Sequence, residues 1–130
     1  MSEATQTPKA PQPTQTYEGG CHCGAVRYRV TMAAPTKATT CNCSLCARAG
    51  WLLAFTPAAG FELLQGEAQL RDYQFGGKTL HHRFCETCGV RSFSAGPSPD
   101  GTQWVSINLR CLDDFDVADL PLESFDGAAL

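Results

Sequence analysis

The stretch Gly19–Tyr28, GGCHCGAVRY, sets two cysteines one residue apart just before a segment with apolar residues at every second position. Val26, Tyr28 and Val30 alternate there with Arg27, Arg29 and Thr31. A period of two belongs to a strand with one buried face. In an extended segment, residues two apart point to one side, so the thiols of Cys21 and Cys23 can meet one ion while His22 points away to solvent. A disulfide between them would close a very small ring with a strained torsion, so the spacing favours metal.

The same alternation returns at Val105, Ile107 and Leu109 against Trp104, Ser106 and Asn108. Further strands are expected over Trp51–Thr56, Phe61–Gln65, Ala68–Phe75, Thr79–Phe84 and Val90–Ala95. Pro57, Gly66, Gly76-Gly77 and Ser98-Pro99-Asp100-Gly101 separate them. Gly76-Gly77 reads as a hairpin turn rather than a phosphate loop, because it stands between two strands. The helical candidate is a turn or two after Ser44. Many short strands with turn signals between them predict an all-β fold of small antiparallel sheets with little helix.

A chain of 130 residues fits one domain and can bury a core without disulfides. Met1–Thr16 carries Pro8, Pro11 and Pro13 among Thr and Gln, with no large apolar residue after Met1, and is expected to be a disordered tail. The domain is then 17–130. The N-terminus has no apolar run or cleavage pattern, and no stretch of about 18 apolar residues follows, so no membrane partner is expected. Eight cysteines, clustered as for metal rather than spread as for disulfides, fit a reducing compartment, most simply the cytoplasm. Formal charge is -3, from Lys+Arg 10 against Asp+Glu 13, and thiolates holding divalent ions would make it more negative. With no basic run, nucleic acid is excluded as an expected partner.

FCETCGV places Cys85 and Cys88 in a C-x-x-C turn, with Gly89 where a left-handed residue lets backbone N–H groups face the sulfurs. One C-x-C and one C-x-x-C supply the four thiolates of a closed tetrahedral site, so Cys21, Cys23, Cys85 and Cys88 are assigned to a structural zinc. It would join residues far apart in sequence and stabilise a small β domain. CNCSLC leaves Cys41, Cys43 and Cys46 to chelate a second ion. If Cys111 completes that set, both sites are closed and the chain is a structural module; His81 and His82 are further possible fourth ligands, but in a strand feeding the Cys85 turn they read first as polar rim residues. If none does, the second ion keeps an open position, as catalytic zinc does. Spacing alone leaves both open.

Together GGCHCGAVRY, CNCSLCARAG and FCETCGV resemble the glutathione-dependent formaldehyde-activating enzyme family, which also includes the domain of centromere protein V. The likeness runs in order through most of Tyr17–Leu130, including NLRCLDD and the closing FDG. It implies a β-rich fold, a structural zinc at Cys21, Cys23, Cys85 and Cys88, and a catalytic zinc at Cys41, Cys43 and Cys46, two zinc ions per chain. For the family's named enzyme it implies a carbon–sulfur lyase interconverting S-hydroxymethylglutathione with glutathione and formaldehyde. The partner is then a small-molecule thiol or thiol adduct whose sulfur takes the open zinc position. A non-catalytic, zinc-stabilised interaction module is the competing expectation.

Arg48, just beyond the triplet, could meet a substrate carboxylate, and Arg91 stands similarly beyond the second knuckle; each is equally readable as a solvated charge. Trp51, Phe55 and Trp104 either line a pocket or pack in the core.

Overall fold

Alternation of apolar and polar residues is realised as paired strands in the computed structural model, which describes residues 14–74 and 80–127. In chain order the strands are β1 (Thr14–Gly20), β2 (Arg27–Ala33), β3 (Ala38–Cys41), β4 (Leu53–Pro57), β5 (Phe61–Gln65), β6 (Leu70–Tyr73), β7 (His81–Cys85), β8 (Phe93–Pro97), β9 (Gln103–Asn108) and β10 (Leu122–Phe125). One short helix, α1 (Ser44–Ala49), and three single turns of 3-10 helix complete the described residues. The all-β reading with little helix therefore holds, and α1 falls at the expected place.

Two sheets form. The first is antiparallel in the order β1-β2-β5, with Thr14 opposite Ala33 and Gly20 opposite Arg27. The second has seven strands in the order β10-β3-β4-β9-β8-β7-β6. It is mixed, because β10 runs parallel to β3 with Phe125 opposite Cys41. Neither β3 nor β10 was expected. Both are four residues long, and β10 is exposed along its whole length, so it has no apolar alternation to reveal it.

Other boundaries also move. The first strand starts at Thr14 rather than after Thr16, since Thr14–Thr16 pair with Thr31–Ala33; the rest of the expected tail lies outside the described residues. A 3-10 turn, Glu67–Gln69, occupies the start of the strand expected from Ala68. The strand expected from Val90 begins at Phe93, because the Val90 carbonyl accepts from Cys85 N–H at 3.1 Å and so serves the knuckle. Gly76-Gly77 lies outside the described residues, and the strands on either side of it, β6 and β7, pair antiparallel.

The inward faces of the two sheets share one core. Val26, Tyr28, Val30 and Met32 of the first meet Phe93, Val105 and Ile107 of the second, with Leu109 and Leu112 beyond β9. Tyr28 is fully buried, its ring 5.2 Å from that of Phe61 and 5.8 Å from that of Phe93. Its hydroxyl donates to the Ser92 carbonyl at 3.4 Å, so the polar end of the ring has a partner. Burial pushes the Tyr28 phenol well above its ordinary range.

Removing the Tyr28 ring should leave a cavity that both sheets line. Tyr28→Ala is expected to destabilise the fold by about 3–5 kcal/mol in urea unfolding, whereas Tyr28→Phe, which loses one long hydrogen bond, should cost about 1 kcal/mol or less.

Candidate metal centres

The turn between β1 and β2 carries the first cysteine pair. Cys21–Val26 is not extended, as the sequence suggested, but closes on itself: Cys21 N–H donates to the Val26 carbonyl at 3.1 Å and Gly24 N–H to the Cys21 carbonyl at 3.3 Å. The two thiols converge through this turn, 3.6 Å apart. His22 is exposed. The second pair stands at the end of β7, where Gly89 N–H donates to the Cys85 carbonyl at 2.7 Å and Gly89 takes the left-handed conformation at φ 80°. A residue with a Cβ would be strained there.

Folding brings the two turns together. Cys23 Sγ lies 3.7 Å from Cys85 Sγ, and the sulfurs of Cys21, Cys23, Cys85 and Cys88 all fall within 4.8 Å of one another. A tetrahedral ion with metal–sulfur bonds of about 2.3 Å sets its sulfurs about 3.8 Å apart, which the geometry matches. Backbone donors surround the group: Val26 N–H reaches Cys21 Sγ at 3.3 Å and Thr87 N–H reaches Cys85 Sγ at 3.4 Å. The Val90 N–H, followed by that of Cys23, brings the Cys88 thiol down to about 6. The Ala25 N–H likewise favours the Cys23 thiolate, but burial and the neighbouring sulfurs outweigh it and push that thiol up to about 11. Four sulfurs this close cannot all be thiolates without a cation, and this donor set suits one.

A second group forms around α1. Cys41 ends β3, Cys43 caps the helix and Cys46 is its buried residue. Cys43 Sγ accepts from Cys46 N–H at 3.4 Å, and Cys41 Sγ accepts from Cys43 N–H at 3.5 Å. Against the cost of burial, the Cys46 N–H and the neighbouring thiols of Cys46 and Cys41 hold Cys43 below its ordinary range. Burial pushes Cys46 up to about 12, with Trp51 acting in the other direction. Among the described residues the buried Trp51 indole N–H otherwise has no hydrogen-bond partner.

The three sulfurs lie within 4.8 Å of one another, and among the described residues no fourth His, Cys, Asp or Glu atom joins them. Cys111 sits elsewhere. Its thiol is partly buried, is raised to about 11 by burial and then by Cys21 and Cys88, and faces the Arg91 carbonyl at 3.9 Å.

Beside the triad is a cavity of about 290 Å³ that Trp51, Phe55, Leu80, His82 and Phe125 line with the cysteines. His82 is buried, its ring 5.8 Å from that of Trp51; burial, then Arg91, lowers its pKa. Sequence reasoning placed both histidines at a polar rim. Strand alternation puts only His81 there, where it meets Asp72 at 2.5 Å. That alternation was the available signal for His82.

Arg48 is exposed and donates to the Ser44 carbonyl of its own helix at 2.8 Å, outside the cavity. The Arg91 guanidinium lies over the rings of Phe84 and Tyr73. Trp51 is core and wall at once, Phe55 is a half-exposed wall residue, and Trp104 lines the trough that continues from the cavity.

The last described residue, Gly127, presses on the triad. A Cβ there would stand 2.5 Å from Cys41 Sγ and 3.3 Å from Cys43 Cβ, closer than atoms pack.

Fold and site define a small β-sheet protein with two cysteine groups able to hold metal, one closed by four sulfurs and one of three beside a cavity. The chain belongs to the glutathione-dependent formaldehyde-activating enzyme family, whose model matches residues 16–125. A Halomonas elongata protein named for glutathione-dependent formaldehyde activation is 33% identical over 79 residues, 55% of this chain and 50% of that protein. The chain thus spans about half the length of the curated relative it matches. A crystal structure of a Rhodobacter sphaeroides protein superposes with a TM-score of 0.71 at 29% identity, covering 82% of this chain and 99% of that one. Among the described residues no helix is long and apolar enough to cross a membrane.

Two substitutions test the separate duties of the groups. Cys85→Ser breaks the junction between turns far apart in sequence and should lower Tm by about 10 °C or more or prevent soluble expression, while Cys43→Ser, whose neighbours are local, should leave a folded chain by circular dichroism. Gly127→Ala should weaken metal retention at the triad by on the order of tenfold, measured by chelator competition with the four-cysteine group as internal reference.

Proposed function

We propose that the chain is a zinc-dependent carbon–sulfur lyase acting on a thiol–aldehyde adduct, with a structural zinc at Cys21, Cys23, Cys85 and Cys88 and a catalytic zinc at Cys41, Cys43 and Cys46. The observation that carries this reading is the contrast between the two groups: four converging sulfurs in one, three beside a cavity in the other. A module with two closed sites would need no such cavity. S-hydroxymethylglutathione is the adduct to which the family's name points.

Zinc held by the triad would supply Lewis acidity and lower the pKa of a thiol that shares its coordination. The reaction breaks the carbon–sulfur bond. Its electron pair goes to sulfur, the adduct's hydroxyl loses its proton, and the carbonyl of the free aldehyde forms. His82 is the titratable non-cysteine side chain that lines the cavity among the described residues, and its lowered pKa keeps the imidazole neutral and able to take that proton. The hydroxyls of Thr39, Ser94 and Ser106 line the same wall and would orient the oxygen. Trp51, Leu53 and Phe55 exclude water from the sulfur side.

The test is exchange spectroscopy on the zinc-loaded chain with formaldehyde and a thiol. Exchange between free thiol and hydroxymethyl adduct should accelerate with the protein present. His82→Gln should slow it by about 10²-fold with zinc retained, and Cys43→Ser should abolish it. Exchange no faster than in buffer would remove the lyase reading.

A further inference from the structure

Resting on the reading of the triad as a thiol-adduct site, we propose that the adduct this chain processes is built on an uncharged, apolar or aromatic thiol. Its hydrocarbon part would lie between Phe55, Leu80 and Phe125, and a charged peptide thiol would be selected against.

Three large apolar side chains are left about half exposed around the cavity mouth: Phe55 at 52%, Leu80 at 47% and Phe125 at 50%. They come from β4, the residue before β7 and β10, so no single amphipathic pattern accounts for their meeting. Converging exposed apolar groups mark a binding surface rather than scattered surface residues. All three also line the adjoining trough of about 570 Å³, which runs on to Pro97 and Trp104. The triad thus opens into a continuous, largely apolar channel, and a soft metal held by its sulfurs would select for a ligand with a thiol at one end.

Among the described residues no Lys, Arg, Asp or Glu lines the cavity beside the triad; its polar groups are the neutral Thr39, Ser94, Ser106 and His82. Lys37 and Glu123 line the trough rather than the cavity, half exposed and paired with each other at 2.6 Å. Arg48 is engaged with Ser44, and Arg91 lines the neighbouring cavity with Trp51 and Asn108. Asp126, beside Phe125, accepts from Asn42 at 2.9 Å and adds negative charge near the mouth. Among the described residues the cavity offers the two carboxylates and the ammonium of glutathione no charged partner in place of water, whereas a phenyl or alkyl group would bury apolar surface on both sides.

The experiment titrates the full chain, loaded with cobalt(II), with benzyl mercaptan, 2-mercaptoethanol and glutathione, reading the cobalt absorption bands. Benzyl mercaptan should bind about tenfold or more tighter than glutathione, as expected for burial of one ring. Phe55→Ala and Phe125→Ala should each cut its advantage over 2-mercaptoethanol by about fivefold. Glutathione binding as tightly as benzyl mercaptan would overturn the proposal, most directly if Arg91→Gln weakened it. Phenylalanine variants that leave the advantage intact would also overturn it. If none of the three thiols shifts the bands, the thiol-adduct reading itself fails and takes this inference with it. A chain that sediments as a dimer, and as a monomer in the phenylalanine variants, would assign the apolar mouth to a second copy and overturn the proposal.

Discussion

The structure depends on the meeting of two turns. Cys23 and Cys85, 62 residues apart, bring their sulfurs to 3.7 Å, which joins the loop between β1 and β2 of one sheet to the end of β7 in the other. Closing a loop of that length costs conformational entropy, which a metal held by the four sulfurs would help to offset. The shared core contributes, with Tyr28 reaching from one sheet to Ser92 and Phe93 of the other. The sulfur junction lies where the sheets meet, and each turn that presents the thiols is closed by its own backbone bonds.

The second cysteine group is made differently and serves a different end. Cys41, Cys43 and Cys46 lie within six residues and are arranged by the end of β3 and the cap of α1. Among the described residues no sulfur, imidazole or carboxylate distant in sequence joins them. Their surroundings, by contrast, come from the whole second sheet: Trp51 and Leu53 at β4, His82 on β7, Ser94 on β8, Ser106 on β9, Phe125 and Gly127 at the end of the described chain. A local chelating motif is thus placed at the bottom of a cavity that only the folded sheet creates. The parallel pairing of β10 with β3 brings Phe125 level with Cys41 and Gly127 against its sulfur.

Strand β2 was readable from residues alone because its alternation coincides with one buried and one exposed face. Val26, Tyr28 and Val30 are fully buried and Arg29 and Thr31 are exposed. Strand β10 was not, since Leu122–Phe125 is exposed throughout and is a strand only because β3 offers it an edge. The cysteine pairs were readable from spacing, though by a turn rather than the extended geometry that the spacing first suggested. His82 was misplaced because a run of two histidines before a knuckle looks polar, and only the sheet decides which of two neighbours faces inward.

Spacing, period and composition determined the division of seven cysteines into four and three, the all-β class and the site of the single short helix. Each of these is encoded within a few residues by bond geometry and alternation. Tertiary structure alone decided that Cys111 sits with the four-cysteine side, that His82 and three half-exposed apolar side chains surround the triad, and that no charged group lines its cavity among the described residues. Those facts depend on which strand lies beside which and on which face each presents, and no local pattern carries strand order.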